Sequence, residues 1–307
     1  MRVMPAFRSW SVTGLMVLVA MIVMPLSVAS VRAQVSCGDA GSGTGGAWSL
    51  PATPQALAAE FPEDGGELTV FAAASLVDAF GEIAASIEDA YPEVSISVVT
   101  GGSQALVTQL QEGAAADVLA TANFPTMATA IEGDLIDGEP IVFTGNRLVV
   151  VTPADNPAGI ESLDDLAEDG VRVVLAASEV PVGAYARTSI CQYVEGGEVP
   201  EGFLEAFNAN VVSEELDVRD VLAKIQLGEG DAGVVYASDA VAAELNGSPV
   251  NVVEFPAASD VTAAYPIAPV QGGNVDLANA FIAYVLSAEG QSILASYGFA
   301  YPEPGEG

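Results

Sequence analysis

Two serines stand where a chain can offer a hydroxyl and a backbone N–H together. Ser75 ends the apolar run LTVFAAAS, and Ser103 follows the pair Gly101-Gly102 after VSISVVT. Each run reads as a short buried strand. Each is followed by apolar residues at helical spacing: Leu76, Phe80, Ile83, Ala84 and Ile87 after the first, Leu106, Val107 and Leu110 after the second. In open α/β sheets, ligands gather at the carboxyl ends of strands, where helices begin with unpaired N–H groups and partial positive charge. Two such junctions aimed at one point make a receptor for an anion. Taken singly, each serine reads first as the N-cap of its own helix, and Ser75 followed by Asp78 has the form of a capping box.

Much other chemistry is excluded by residue type. The chain holds no histidine, so a Ser-His-Asp triad, a Cys-His dyad and a His-ligated metal site cannot be built. No G-x-S-x-G elbow is present, and a Ser-Lys pair would have to use Lys224, the only lysine. Cys37 and Cys191 cannot form a zinc site alone. They could pair in an oxidising compartment, but the reading preferred from sequence is one linker cysteine and one buried cysteine. No paired-carboxylate motif stands out. The chain therefore reads as a binding protein without catalytic residues, metal or cofactor.

The elements that must position the two serines follow from the rest of the sequence. The 307 residues are 51% hydrophobic and 16% charged, a globular composition with room for two domains. Net charge is −33, from 41 acidic and 8 basic residues. Such a surface rules against nucleic acid and opposes docking on anionic lipid. Arg2, Arg8 and Arg32 flank or follow the apolar run at residues 11–29, and Val31-Arg32-Ala33 is a cleavage-like site. Residues 1–33 thus read as a signal peptide. A lipidated Cys37 and a retained anchor helix are the rivals. All three place the folded part outside the cytoplasm, in the periplasm or on the outer face of the cell membrane. Residues 34–66, with GSGTGG, read as a flexible linker. Gly41, Gly43 and Gly46 match G-x-G-x-x-G, but no strand precedes them and no helix follows.

Beyond Ser103, ADVLATA reads as a third strand. NRLVVVTP, VRVVLAA, AGVVYASD, NVVEFP and YPIAPV read as further strands. SLDDLAE is a short helix, other helices open near Ala184 and Val218, and residues 275–297 are largely helical. Alternating strands and helices mean an α/β protein with a mostly parallel sheet. The five remaining basic residues, Arg147, Arg172, Arg187, Arg219 and Lys224, all lie in the middle of the chain, and 67–144 and 260–307 have none.

VFAAASL, GGSQAL with QLQEGAAADVLATAN, GNRLVVVTP, VPVGAYA, EELDVRDVLAKIQLGEGDAGVVYASDA and the closing SYGF occur in that order. Together they resemble the periplasmic molybdate-binding protein family from about residue 68 to residue 301. The resemblance implies a two-lobed type II periplasmic-binding-protein fold. Each lobe is then a mixed, mostly parallel sheet flanked by helices, with two crossover strands between lobes. Lobe 1 would hold 67–144 and 260–307, and lobe 2 would hold 145–259. It implies ligand contacts at Ser75, Ser103, Val182, Val218 and Tyr236. The serines would donate from hydroxyl and N–H, the valines from N–H alone, and the tyrosine from its phenol. By their residue types alone, the two valines would be core packing at helix starts and Tyr236 a half-buried strand aromatic. Val182 stands in VPVG where an alanine is common in the family. The implied ligand is molybdate or tungstate, and the implied partner is the membrane permease of an ABC importer, served by a monomer.

Neutral donors suit such a ligand. Molybdate is a bare dianion near neutral pH and can only accept hydrogen bonds. A donor-only site takes it and penalises protonated phosphate, whose O–H needs an acceptor. An acidic side chain turned inward, Glu179 or Asp217, would weaken that logic. Three rivals are a binder of another tetrahedral oxyanion such as sulfate or thiosulfate, a His-free serine hydrolase, and an adhesion or sensor domain that kept the fold alone.

Overall fold

Hydrophobic runs ending in small residues set the frame. The computed structural model describes residues 34–37, 59–197, 199–256 and 261–300. The signal segment, most of the linker and the proposed lobe boundary near 259–260 lie outside them. The strands are β1 (Gly66–Ala73), β2 (Val94–Gly101), β3 (Val118–Ala120), β4 (Ile141–Pro153), β5 (Val173–Ala176), β6 (Val211–Glu215), β7 (Ala232–Tyr236), β8 (Val250–Glu254) and β9 (Thr262–Pro269). The helices are α1 (Val77–Ala90), α2 (Ser103–Gln111), α3 (Phe124–Glu132), α4 (Pro181–Glu195), α5 (Phe203–Asn210), α6 (Val218–Gln226), α7 (Ala237–Leu245), α8 (Val275–Leu286) and α9 (Ala288–Ser296).

Strand order is β2-β1-β3-β9-β4-β7-β5-β6, with β8 beside β4. Two parallel triplets, β2-β1-β3 and β7-β5-β6, flank an antiparallel centre. The centre is made by β4 and β9. Residues 141–147 of β4 pair with β9, and residues 148–153 pair with β7 and β8. β9 in turn pairs with β3. These two strands carry the chain from one triplet to the other, which makes the sheet mixed and the architecture that of a type II periplasmic binding protein.

Each helix buries the stripe its sequence sets out. α1 turns Ala79, Phe80, Ile83, Ala84 and Ile87 inward, and α2 does so with Leu106, Val107 and Leu110. An aromatic chain runs through the core from Phe281 to Phe80, Phe143, Tyr265 and Tyr236, with ring centroids 5.5 to 6.3 Å apart. Contacts of this kind contribute beyond the area they bury.

The linker reading needs correction at its start. Val35 is buried, its N–H donates to Asn208 Oδ1 (2.8 Å), and its carbonyl accepts from Asn208 Nδ2 (2.9 Å). Cys37 is disulfide-bonded to Cys191 on α4, with Cα atoms 5.2 Å apart. The reading of one linker cysteine and one lone buried cysteine is thereby overturned. Asn208 and Cys191, distant in sequence, converge where this short segment docks. The bond uses the Cys37 sulfur that a lipid anchor would need, so the two states exclude one another. No helix among the described residues is long and apolar enough to cross a membrane.

Candidate functional site

The register of the first triplet brings the two serines together. β1 and β2 pair so that Ala73 lies opposite Gly101, which sets their carboxyl ends side by side. Ser75 sits in a short 3-10 turn, Ala74–Leu76, between β1 and α1. That turn moves the N-cap of α1 to Leu76, and no side chain caps it. The capping-box reading therefore fails. Asp78 instead accepts from Asn246 Nδ2 (3.0 Å) and pairs with Arg219 (3.0 Å). Ser103 is the first residue of α2, and Gly102 is the N-cap. Neither serine is the N-cap of its helix. The Ser75 hydroxyl lies 2.9 Å from Tyr265 Oη, and Ser103 Oγ accepts from the Ala122 N–H at 3.1 Å. Gly102 is required for space: a Cβ there would stand 2.5 Å from the Leu216 carbonyl oxygen.

The second triplet supplies three more turns at its carboxyl ends. α4 starts at Pro181, three residues before the expected start near Ala184, because proline suits the first helical position. Val182 follows it. Gly183 lets α4 seat on the end of β5, since a Cβ there would lie 2.0 Å from the Ala177 carbonyl oxygen. Val218 opens α6. Asp217 caps that helix, its Oδ1 accepting from the N–H groups of Arg219 (2.8 Å) and Asp220 (3.1 Å). The cap takes those two donors and leaves that of Val218 without an intrahelical acceptor. Tyr236 ends β7 and precedes α7, its N–H donating to Asp239 Oδ2 (3.1 Å).

Ser75, Ser103, Val182, Val218 and Tyr236 all line one small cavity, in company with Ala122 and Asp217. All five are buried. Tyr236 is therefore no half-buried aromatic: it is 1% exposed. Space for the centre of a water-sized sphere is about 10 Å³, room for about one small group. The Tyr236 Oη is buried without a hydrogen-bond partner. Burial first, then neighbouring Tyr265, Tyr185 and Asp239, pushes its pKa well above the ordinary phenol value. It thus stays protonated and can donate. Glu179 lines a separate, larger groove with Gln104, Thr108, Asn123 and Ser178, and Asp217 spends its Oδ1 on its own helix.

Among the described residues, no basic side chain lines the cavity. Arg147 pairs with Glu254, Arg172 with Asp231, Arg187 with Glu214, Lys224 with Glu215, and Arg219 with Asp78 and Asp239. Asp239 is fully buried, and burial pushes its pKa up to about 7 although Arg219 pulls the other way. Positive character at the cavity comes from helix starts and from O–H and N–H dipoles.

Sequence reasoning passed over Tyr265 and Asn146. Tyr265 lies in β9 and is 0% exposed. Asn146 Nδ2 reaches the Tyr265 hydroxyl (3.5 Å) and Ser238 Oγ (2.7 Å). The available signal was a polar residue inside an apolar strand run, which must find a buried partner.

Residues 68–300 match the family described as bacterial extracellular solute-binding protein. The molybdate-binding protein ModA of Mycobacterium tuberculosis is 36% identical over 278 residues, covering 90% of this chain and 98% of the relative. The structure of the Azotobacter vinelandii periplasmic molybdate-binding protein aligns with TM-score 0.66 at 16% identity, covering 77% of this chain and all of that one. The sulfate-binding protein SubI of Mycobacterium tuberculosis aligns with TM-score 0.68 at 21% identity, covering 78% and 88%. At those identities the two structures speak to fold alone.

Proposed function

The chain belongs to the bacterial extracellular solute-binding proteins, and from that membership we propose that it captures molybdate, and tungstate with it, for an ABC importer. It works outside the cytoplasm and hands the anion to a membrane permease. The observation that carries the ligand assignment is the convergence of five turns on one small cavity, with uncharged donors and a buried phenol that has no partner among the described residues. Relatives named for molybdate supply the chemical identity. In this reading residues 67–144 with 260–307 form one lobe and 145–259 the other. The anion sits between them, and the protein acts as a monomer.

The magnitudes are adequate without a cation. Hydrogen bonds to a charged group contribute roughly 1.5–3 kcal/mol each. Five positions supply about 8–15 kcal/mol, from which association removes at least about 4 kcal/mol. The surplus, at most about 11 kcal/mol, reaches from the millimolar range through the micromolar to about ten nanomolar, so a micromolar site needs no cation. Hydrolase chemistry finds no support: Ser75 faces a phenol and Ser103 a backbone N–H, and neither is a base.

Sulfate is the second reading, because a sulfate binder shares the fold and sulfate has the same charge and shape. Calorimetry with molybdate, tungstate, sulfate and phosphate on the purified protein tests both. Molybdate and tungstate should bind at micromolar levels or tighter, with sulfate far weaker. Preference for sulfate would reject the proposal.

A further inference from the structure

We infer that Tyr265 is a positioning residue: by donating to Ser75 Oγ, 2.9 Å away, it reserves the Ser75 proton for the anion and makes the site reject oxyanions that carry a proton. The inference rests on the cavity being an oxyanion site. Asn146, on β4, fixes the polarity of the relay. Its Oδ1 accepts from the N–H groups of Arg147 (3.0 Å) and Ser238 (3.5 Å), so the amide is oriented. Its NH2 then faces Ser238 Oγ (2.7 Å) and Tyr265 Oη (3.5 Å). Tyr265 thus has a donor against its oxygen and one proton to place.

Tyr236 Oη lies among the same rings and has no partner at hydrogen-bonding geometry among the described residues, whereas Ser75 Oγ stands 2.9 Å from Tyr265 Oη and is the acceptor placed for its proton. A serine that receives a bond from behind cannot also donate in that direction. Its own proton is free for the cavity. Ser103 is treated alike, with the Ala122 N–H in the place of the phenol. Burial raises the pKa of Tyr265, so the relay keeps its proton through the neutral range. Without the phenol, Ser75 could turn a lone pair into the cavity and accept from a protonated anion.

The test compares molybdate with inorganic phosphate at neutral pH by calorimetry, on the wild-type protein and on Tyr265→Phe. The variant should weaken molybdate roughly tenfold, one charged hydrogen bond's worth. Phosphate affinity should hold or rise, so the molybdate-to-phosphate preference falls by tenfold or more. A role in packing alone would weaken both anions alike, and an unchanged preference overturns the inference. In a Ser75→Ala background, Tyr265→Phe should leave the preference unmoved. A further loss there also counts against it. If Tyr265→Phe does not fold, Asn146→Ala carries the test, since it frees Tyr265 to accept from Ser75. A wild-type protein that binds neither anion rejects the underlying reading directly, a result separable from an unchanged preference in a protein that does bind.

Discussion

Replacing Tyr236 with phenylalanine should move stability and affinity in opposite directions. The Tyr236 side chain is fully enclosed, and its hydroxyl has no partner at hydrogen-bonding geometry among the described residues. A buried polar group left unsatisfied costs about 1–3 kcal/mol. Any solvent that reaches the oxygen would offset part of that. Removing the oxygen should therefore leave the ligand-free protein no less stable, with a gain of up to about 2 kcal/mol. The midpoint of thermal unfolding rises by roughly 2–4 °C for each kcal/mol gained in a domain of this size. In the proposed site the same hydroxyl donates to the bound anion, worth about 1.5–3 kcal/mol, so the molybdate Kd should rise roughly 10- to 150-fold. Ligand-induced stabilisation at saturating molybdate should shrink by at least about 1.4 kcal/mol, the linkage equivalent of tenfold. Scanning calorimetry with and without molybdate reads both quantities. A variant that loses more than about 1 kcal/mol of stability while keeping its Kd would refute the reasoning, because the oxygen would then serve the fold and not the ligand.

Ser103→Ala should behave differently. If the proposed site holds, it removes a donor to the anion, weakening molybdate by at least about 1 kcal/mol; in any case it strands the Ala122 N–H, destabilising the protein by about 1–3 kcal/mol. Titration calorimetry and urea unfolding check the pair of effects. Reduction of the Cys37–Cys191 bridge, or Cys191→Ser, opens a link spanning 154 residues. Loop entropy sets the loss near 5 kcal/mol at most, and 2–5 kcal/mol is expected; an unchanged denaturation midpoint would argue that the bond does not form. Asp239 imposes a pH dependence. Its folded pKa near 7 stands above the unfolded value of 3.8, held up by burial and by Asp78 and Asp217 against Arg219. The folded protein retains a proton the unfolded chain has released, so this group lowers stability as pH climbs from about 4 to 7, with no further change above. Relative to Asp239→Asn, wild-type stability should fall across that window in denaturant titrations. Parallel curves would contradict the assignment.

The ends of strands were legible because glycine, serine and proline mark them in an apolar sequence: Ser75, Ser103 and Val218 sit at strand-to-helix junctions as their motifs suggested, while VPVG, read as a turn, already belongs to α4 from Pro181. The valines at 182 and 218 were not readable as binding positions from their side chains, since the N–H they offer belongs to every residue. The resemblance alone singled them out. What escaped was whatever depends on distant partners. The 3-10 turn that displaces the α1 cap shows only when Asp78 meets Asn246 and Arg219. β6 was missed because VVSEE is polar on an outer strand and lacks the apolar run that flagged its neighbours. The boundary drawn at residue 144 falls inside the continuous strand β4, whose apolar character gives no sign that its partner changes from β9 to β7 at Leu148. The disulfide joins residues whose nearness depends on Asn208 gripping Val35.

All five arginines and lysines among the described residues are committed to carboxylates, while the chain as a whole carries a net charge of −33. A dianion must therefore travel through a repelling field before any dipole can hold it. Dissolved ions shorten that field from about 10 Å at 0.1 M to about 3 Å at 1 M. Capture should accordingly run faster in brine than in dilute buffer, the reverse of the usual steered encounter, while escape from a cavity held by short-range dipoles proceeds at nearly the same pace in both.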